Sequence, residues 1–457
     1  MRLLLKLTLV FLIVFFTTGN VNRISSANNS ETEILTNSES LHLSQIIDSR
    51  LLYELDSLTD VYATQKGFSG NVLVAIDGLN VFEKSLKYAD PILKKPFQST
   101  SIFQLASVSK QFTAAAILLL KSDHLIDLDD ELTQYIPELP YKDVTIRQLL
   151  HHTGGLPNYM YLVDKYWNKE NAPDNEDVIE LMAKYKLPIF FKAGYKYDYS
   201  NTGYVMLASI VERVSGLTLN DFLQRRVFGP LGMKNTYVYS SADTSVTHRQ
   251  EDGFRALRRG YARISETKNN GPVGDKGVCS TTGDLFLWDQ ALYNGSPISF
   301  DLLEEAFLPV KSSNGKEVAY GFGFRLKVEN EQPVIYHNGV WEGFRTNFHR
   351  FPSTHNTIIV LNNTSTRLNH ELVHDIDQLI NYKSSQDFTK MLVNIVLEEG
   401  VTEAVEAVNE IRTLHKDATF NFRTILEVAE FMEQSGKPET ASRFKSLVDE
   451  MTQNPGG

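Results

Sequence analysis

The pattern of apolar and polar positions predicts strands towards both ends of the chain and helices between them. An apolar run at Asn71–Ile76, the turn Asp77-Gly78 and the segment Asn80–Lys87 indicate a β-hairpin. Strand patterns return in PVIYH, FRTNFHRF and NTIIVLNN, and the last two flank a turn at Pro352–His355. Residues 100–325 mostly alternate helical patches with Gly/Pro loops. We therefore expect an α+β fold, with one antiparallel sheet formed from both chain ends and a helical subdomain packed on it.

Helical patterns flank the predicted sheet. Residues 44–64 carry apolar residues at helical spacing, and Leu368–Ile380 looks like a closing helix. The acidic stretch 386–457 has no strand pattern, and its segment 425–451 has helix–turn–helix spacing broken at Gly436-Lys437-Pro438. This segment resembles one degenerate tetratricopeptide-type hairpin, which would offer a protein partner a docking surface. One unit is not an array, so we favour a helical cap on the main domain.

The first residues have the pattern of a targeting signal. In Met1–Phe16, basic residues precede a stretch of ten residues that is apolar except for one Thr. That is half the length of a spanning helix, which favours a secretory signal over an uncleaved anchor. We predict a signal peptide at 1–27, with cleavage after Gly19 or Ala27, and a disordered lead-in at 28–43. The protein is then exported to a periplasm or secreted, and it keeps no integral membrane segment after cleavage.

Composition and charge narrow the function. The 457 residues are 42% hydrophobic and 22% charged, as expected of a folded protein. The net charge of −11 disfavours a nucleic-acid partner, because phosphate contacts need a basic face. The single cysteine, Cys279, excludes an intrachain disulfide and any cysteine-based metal site. We expect a main domain at 44–385 and an all-helical extension at 386–457.

The strongest chemical signal is an S-x-x-K motif at Ser107–Lys110. In a helix that begins near Ala106, these two side chains lie one turn apart, about 5–6 Å between Cβ atoms. Desolvation by the apolar tract that follows would push Lys110 towards its neutral form, which can act as a base. The same motif occurs at Ser265–Lys268, Ser313–Lys316 and Ser442–Lys445, but only Ser107–Lys110 opens an apolar helix.

Two further clusters follow in chain order. Tyr199-Ser200-Asn201 lies in a loop before an apolar helix, and His337-Asn338-Gly339 closes a strand. Each residue also has a structural interpretation, since Ser107 and Asn201 could cap helices and Tyr199 could be a core aromatic. No G-x-S-x-G motif occurs, which removes the usual α/β-hydrolase nucleophile.

Two other residues have weaker interpretations. We expect His152, in HHTGGLP, to support a loop, and its pairing with His151 does not predict a metal site. Arg345 lies on the strand after His337, where it would either reach a substrate carboxylate or lie at the surface.

These motifs together resemble the serine β-lactamase and penicillin-recognising hydrolase family, in its class C β-lactamase, D-alanyl-D-alanine carboxypeptidase and esterase branch. The resemblance covers roughly residues 60–385. It rests on FQLASVSKQFTAAAI, TIRQLLHHTGGLPNY, YDYSNTGYVMLA, GVCSTTGDLFLWDQAL and HNGVWEGFRTNFHRFP. It implies a β-lactamase/transpeptidase-like fold and a serine hydrolase that works through an acyl-enzyme. No metal or organic cofactor is implied, because Lys and Tyr can supply the proton transfers.

The resemblance also implies residue roles. Ser107 would be the nucleophile, with Lys110 and Tyr199 sharing the general-base work. Asn201 would hold Lys110 and contact the substrate amide. His337 would take the third-motif position. The backbone N–H groups of Ser107 and Val340 would form the oxyanion hole. Gly339 would let the substrate approach the strand.

The third motif departs from the family pattern. Class C β-lactamases carry Lys-Thr-Gly where this chain has His337-Asn338-Gly339, and a neutral histidine holds a carboxylate less well than an ammonium. Efficient β-lactamase activity is therefore disfavoured. An esterase and a peptidase for D-amino-acid compounds fit the sequence equally well, and D-Ala-D-Ala carboxypeptidase activity is open but not favoured. The substrate is then a small molecule or a peptide. The alternative is a non-catalytic penicillin-binding-type module for sensing or scaffolding.

Overall fold

The computed structural model describes residues 51–329, 332–383, 387–414 and 418–453. Two compact units divide this part of the chain, with residues up to 383 in the first and residues from 387 in the second. The predicted signal peptide (1–27), the lead-in (28–43) and the start of the helix predicted at 44–64 lie outside the described residues. The predicted domain limits, 44–385 and 386–457, stay a prediction.

The strands of the first unit are short except in its main sheet. In chain order they are β1 Gly70–Ile76, β2 Leu79–Leu86, β3 Tyr88–Asp90, β4 Lys95–Pro96, β5 Phe103–Gln104, β6 Tyr237–Val238, β7 Phe254–Ala256, β8 Tyr261–Arg263, β9 Val278–Ser280, β10 Val310–Lys311, β11 Glu317–Val318, β12 Arg325–Glu329, β13 Gln332–Trp341, β14 Phe344–Phe351 and β15 Asn356–Asn362.

The helices of the first unit are α1 51–61, α2 Lys110–Ser122, α3 Leu132–Tyr135, α4 Ile146–Leu150, α5 Tyr159–Tyr166, α6 Asn175–Tyr185, α7 Asn201–Ser215, α8 Leu219–Leu223, α9 Thr282–Asn294, α10 Phe300–Ala306 and α11 Leu368–Asp377. Short 3₁₀ turns lie at Ala106–Ser109 and Lys268–Asn270, and π turns at Tyr62–Lys66, Gln224–Phe228 and Gln378–Lys383.

Six antiparallel strands form the main sheet, in the order β12-β13-β14-β15-β1-β2. β1 pairs with β15 from Gly70↔Asn362 to Ala75↔Thr357, so both ends of the unit meet in the middle of the sheet. The predicted α+β fold and the sheet built from both chain ends are confirmed. The hairpin β1–β2, the strands β13 to β15 and the closing helix α11 were also predicted, whereas β12 was not.

Helices cover both faces of the sheet. Alternate residues of β1 enter two cores: Leu73 packs with the α2 side, and Val72 packs with α1 and α11. β1 is therefore buried on both faces, which explains why its sequence is a continuous apolar run instead of an alternating one. The α2 face of the sheet is the one that carries the chemistry described below.

The second unit is helical, with α12 Thr389–Glu398, α13 Val401–Leu414, α14 Phe422–Gln434 and α15 Pro438–Gln453. The helix–turn–helix predicted at 425–451 is present as α14 and α15, whose buried apolar faces join those of α12 and α13 in one core. The four helices share a core of their own, and the cap on the main domain expected from the sequence stays a prediction.

A buried ion pair fastens α9 to the main sheet. Arg350 Nε of β14 donates to Asp289 Oδ1 at 2.6 Å, and Thr357 Oγ1 of β15 donates to Asp289 Oδ2 at 2.8 Å. The side chains of the pair are 2% and 0% exposed. Removal of one partner would leave an uncompensated charge in the core, which costs far more than losing a surface pair.

We predict that Arg350→Met lowers the free energy of unfolding by about 3–5 kcal/mol, since Asp289 is left buried and unpaired. The double variant Arg350→Met/Asp289→Leu should recover most of that loss. Urea unfolding of the full chain measures both. The control is Arg226→Met, which breaks a half-exposed pair with Asp123 and should cost at most about 1 kcal/mol. Equal losses for Arg226→Met and Arg350→Met would contradict the prediction.

Candidate active site

Ser107 lies in a tight turn at the start of the apolar helix. The sequence predicted a regular helix from Ala106, but the chain forms a 3₁₀ turn at Ala106–Ser109 and the α-helix begins at Lys110. Ala106 has φ 51°, a left-handed conformation that is costly for a residue with a Cβ. Ser107 is partly exposed between buried neighbours. Its N–H lies in a first helical turn, where such groups lack an intrahelical acceptor.

Lys110 is fully buried beneath Ser107, and three oxygen atoms surround its amine. Nζ lies 3.1 Å from Ser107 Oγ and 2.9 Å from Asn201 Oδ1. The third oxygen is the main-chain carbonyl of Asp275, at 2.7 Å. None of the three oxygens belongs to a carboxylate.

This environment favours the neutral amine. Burial lowers the pKa of Lys110 to about 7, with the Asp275 charge opposing the shift and the Arg325 charge adding to it. A neutral amine has two N–H donors and one lone pair. Asn201 Oδ1 and the Asp275 carbonyl can only accept hydrogen bonds, so they take the two N–H groups. The lone pair is then directed at the hydroxyl of Ser107.

Tyr199 presents a buried hydroxyl to the same space. Its oxygen has no hydrogen-bond partner among the described residues, although part of the ring is exposed. Lys110 Nζ lies 4.9 Å from the ring centroid. Burial raises the pKa of Tyr199 above its ordinary value, and the Ser107 hydroxyl nearby opposes this rise without hydrogen-bonding geometry. Tyr199 therefore stays protonated at a pH at which Lys110 loses its proton.

Asn201 is the first residue of α7, and Ser200 caps that helix by accepting from the N–H of Gly203. The capping role that the sequence left open for Asn201 therefore belongs to Ser200. The side-chain oxygen of Asn201 accepts from Lys110, which leaves its amide N–H₂ able to donate to a substrate carbonyl.

Gly339 allows β13 to approach the turn that carries Ser107. A Cβ at this position would lie 2.3 Å from the carbonyl oxygen of Leu105 and 2.1 Å from Thr346 Oγ1. Thr346 Oγ1 itself donates to the Leu105 carbonyl at 2.7 Å. The resemblance predicted that this glycine admits the substrate, and the structure adds a tighter constraint from the chain itself.

The N–H of Val340 is free of the sheet. Trp341 pairs with Phe344 across a two-residue turn with positive φ at both positions, so Trp341–Phe344 is a hydrogen-bonded pair and Val340–Arg345 is not. β12 pairs with β13 only as far as Tyr336. The Val340 N–H therefore points away from β14, at an edge that no strand of the described residues covers. An oxyanion could accept from it there.

His337 is buried, and both of its ring nitrogens are used within the chain. Nδ1 lies 2.9 Å from the carbonyl oxygen of Asn338, so it carries the proton, and Nε2 accepts from the Tyr320 hydroxyl at 3.0 Å. Burial and the Lys110 charge hold the pKa of His337 well below its ordinary value. His337 is therefore neutral and supplies no cation for a substrate carboxylate.

His152 lies against the ring of Tyr199, with 4.2 Å between centroids. Its Nδ1 accepts from the N–H of Ser200 at 3.1 Å, so it supports the loop that carries Tyr199. Arg345 lies on the other face of the sheet from Thr346, because successive strand residues point to opposite faces. It therefore does not reach the site.

Arg325 is a charged residue of the site that the sequence did not reveal. Its guanidinium carbon lies 5.1 Å from the centroid of the Tyr199 ring and 5.9 Å from that of Tyr320. No carboxylate pairs with it among the described residues. It lies at the start of β12, a strand without a sequence signal, so only the fold brings it to Tyr199.

A cleft of about 160 Å³ opens beside Tyr199 and Asn201. Main-chain hydrogen bonds build one wall, with Phe190 N–H donating to the Gly155 carbonyl at 2.8 Å and Asp198 N–H to that of His152 at 2.9 Å. Phe190, in this wall, is 65% exposed. The cleft thus offers aromatic surface and the Asp198 carboxylate next to the reactive groups. In the described parts of the chain, no group of three or more His, Cys, Asp or Glu side chains is placed to hold a metal ion.

Fold and site together are those of a serine hydrolase of the penicillin-recognising type, and comparison with known proteins agrees. A family model with the description Beta-lactamase matches residues 55–379. The chain belongs to the β-lactamase family, and it is a serine hydrolase of the β-lactamase-related type. The family and the enzyme class expected from the sequence are confirmed.

Two curated relatives illustrate the range of the family. Penicillin-binding protein 4* of Bacillus subtilis (strain 168) is 34% identical over 328 residues, which are 69% of this chain and 73% of that protein. A D-aminopeptidase of Brucella anthropi is 28% identical over 290 residues, which are 61% of this chain. The chain spans about half the length of that D-aminopeptidase, 53%.

Solved structures share the fold. A penicillin-binding protein from Bacillus halodurans superposes with a TM-score of 0.61 at 23% identity, covering 71% of this chain and 98% of that one. The D-amino acid amidase from Ochrobactrum anthropi SV3, complexed with L-phenylalanine amide, gives 0.60 at 21% identity and covers 75% and 99%. At these identities the likeness concerns the fold alone.

We predict that Gly339→Ala lowers kcat/KM at least about 100-fold, because the new Cβ would push β13 away from the nucleophile turn. Hydrolysis of an activated ester measures this, and circular dichroism reports whether the variant folds. Gly283→Ala is the control, since a Cβ there meets nothing closer than 4.0 Å and the residue lies inside α9. A folded Gly339→Ala variant with undiminished activity would refute the prediction.

Proposed function

We propose that the protein cleaves an amide or ester through an acyl-enzyme on Ser107, with Lys110 as the base. One observation carries this proposal: a buried amine without a carboxylate partner lies 3.1 Å from the hydroxyl of a partly exposed serine. An amine with a pKa of about 7 is the type of base that works near neutral pH.

The proton transfers balance as follows. Ser107 Oγ attacks the carbonyl carbon while its proton passes to Lys110, and the N–H groups of Ser107 and Val340 hold the oxyanion. When the bond to the leaving group breaks, Tyr199 protonates that group and recovers a proton from Lys110. Water then attacks the acyl group, Lys110 takes a proton from it, and Oγ leaves and recovers that proton. Asn201 holds Lys110 throughout.

The surroundings of Tyr199 support a peptide-like substrate with a free carboxylate. Arg325 offers a guanidinium to a carboxylate near the scissile bond, the role for which His337 is unsuited because it is neutral. The cleft with Phe190 and Asp198 offers an aromatic wall and an acidic group. The likeness to a D-aminopeptidase supports a substrate of D-amino acids.

We predict that a fluorophosphonate adds one adduct mass to the intact protein and that Ser107→Ala abolishes it, because the labelled atom is Oγ. A penicillin tests the substrate class in the same way. Its adduct would indicate a site for cell-wall-type peptides, and fluorophosphonate labelling alone would indicate an esterase. If neither reagent labels the folded protein, the non-catalytic sensing or scaffolding module replaces our proposal.

A second prediction concerns Arg325. Arg325→Gln should lower kcat/KM at least about tenfold for an acyl-D-Ala-D-Ala peptide with a free carboxylate, and far less for its C-terminal amide, because only the former loses an ionic contact. Arg345→Gln, the same change on the other face of the sheet, should alter neither rate. Equal losses on both substrates would show that Arg325 does not bind the carboxylate.

Export is part of the proposal, and the pattern of residues 1–27 supports it. None of the helices in the described ranges is long and apolar enough to cross a bilayer. The mass of the protein recovered from its producing cell would show whether cleavage follows Gly19 or Ala27.

A further inference from the structure

A second buried charge cluster lies directly beneath Lys110, and the mechanism above does not use it. Asp275 and Lys276 form an ion pair, with 3.3 Å between Oδ1 and Nζ, and their side chains are 1% and 4% exposed. Tyr159 bridges the pair: its hydroxyl donates to Asp275 Oδ2 at 3.2 Å and accepts from Lys276 Nζ at 2.8 Å. A buried pair of this kind is rarely a net source of stability, so its presence calls for another reason.

The segment that carries this pair is held at several points. Thr113 of α2 donates to the carbonyl of Gly274 at 2.7 Å, and Lys276 Nζ donates to that of Pro272 at 3.1 Å. Thr202 of α7 accepts from the N–H of Tyr159 at 3.0 Å. The Asp275 carbonyl that receives Lys110 is therefore fixed relative to both α2 and α7.

Several charged or titratable groups face Lys110. Asp275 and Lys276 come from the segment before β9, and Arg325 comes from β12. Two neutral histidines, His152 and His337, also feel its charge. The rings of Tyr199 and Tyr204 lie 4.9 and 5.6 Å from Nζ. The negative charge in this set is that of Asp275.

We propose that Asp275 is a positioning residue for Lys110: its carbonyl orients the amine, and its carboxylate, held in place by Lys276 and Tyr159, sets the charge state of that amine against Arg325. This inference rests on the proposed function, because it assumes that Lys110 is the base. It assigns a purpose to a buried ion pair that touches neither Ser107 nor the substrate.

We expect the charges of Asp275 and Arg325 to have opposite effects on the pKa of Lys110. An anion near an ammonium favours the protonated form, and a cation disfavours it. Removal of the Asp275 charge should therefore lower the pKa of Lys110, so that the base is available at lower pH. Removal of the Arg325 charge should raise that pKa, so that the base is available only at higher pH.

The experiment measures the rate constant of Ser107 acylation by a small uncharged fluorophosphonate between pH 5 and 9. We expect the wild-type rate to rise with a midpoint near the Lys110 pKa of about 7. Asp275→Asn keeps the shape of the side chain and should move the midpoint down by about half to one unit, which makes the variant about three- to fivefold faster at pH 6. Arg325→Gln should move the midpoint up and slow the reaction about twofold at pH 7.

The controls separate charge from structure. Asp284→Asn removes another buried carboxylate, one bound by Thr236, and should leave the midpoint unchanged. The double variant Asp275→Asn/Lys276→Met removes both charges. It provides a folded protein if Asp275→Asn alone is unstable because Lys276 has lost its partner. The midpoint of the double variant should lie between those of the wild type and Asp275→Asn.

Two different outcomes would contradict the inference. In the first, Ser107 of the wild type is labelled, but Asp275→Asn and Arg325→Gln both keep the wild-type midpoint. If only the double variant folds, it takes the place of Asp275→Asn in this comparison. This outcome would overturn the present inference alone. Wild type without a Ser107 adduct at any pH would overturn the proposed function as well.

Discussion

The burial of the Lys110 amine is the constraint on which the rest of the site depends. A cation in the core needs either a carboxylate or the loss of its proton, and here the immediate acceptors are a hydroxyl, an amide and a main-chain carbonyl. These acceptors come from the 3₁₀ turn before α2, from α7 and from the segment before β9. The amine is therefore satisfied only when all three segments have converged. The hydrogen bonds of the Lys110 amine therefore form only when the site assembles.

A second constraint is steric. β13 passes so close to the turn of Ser107 that only a glycine fits at position 339, and the Leu105 carbonyl accepts from Thr346 on the adjoining strand. This contact places the free N–H of Val340 on the same side as Ser107. The sheet acts as a rigid reference surface, since β14 and β15 are tied to α9 through Asp289. Precision in the site thus comes from main-chain packing more than from the side chains that carry the chemistry.

Much of this could be read from the sequence, and the exceptions have a physical reason. Apolar runs and turns revealed the central strands, and the order of Ser107–Lys110, Tyr199–Asn201 and His337–Gly339 revealed the motifs that the fold brings together. Arg325 escaped notice because β12 has no periodic pattern and its charge matters only through the fold. Asp275 was not predicted because every residue has a main-chain carbonyl, so the sequence does not show which carbonyl accepts a hydrogen bond. His337, which the resemblance assigned to the third-motif position, lies near Tyr199, and both of its ring nitrogens are occupied within the chain.

The sheet built from both ends of the unit has a consequence for when activity can appear. The serine arrives early during synthesis, at residue 107, whereas the strand that completes its surroundings ends at Trp341 and the strand that seats β1 ends at Asn362. A nascent chain shorter than this has Ser107 but not the complete sheet around it. If Ser107 acts as we propose, catalytic competence therefore requires the chain to extend at least through Asn362.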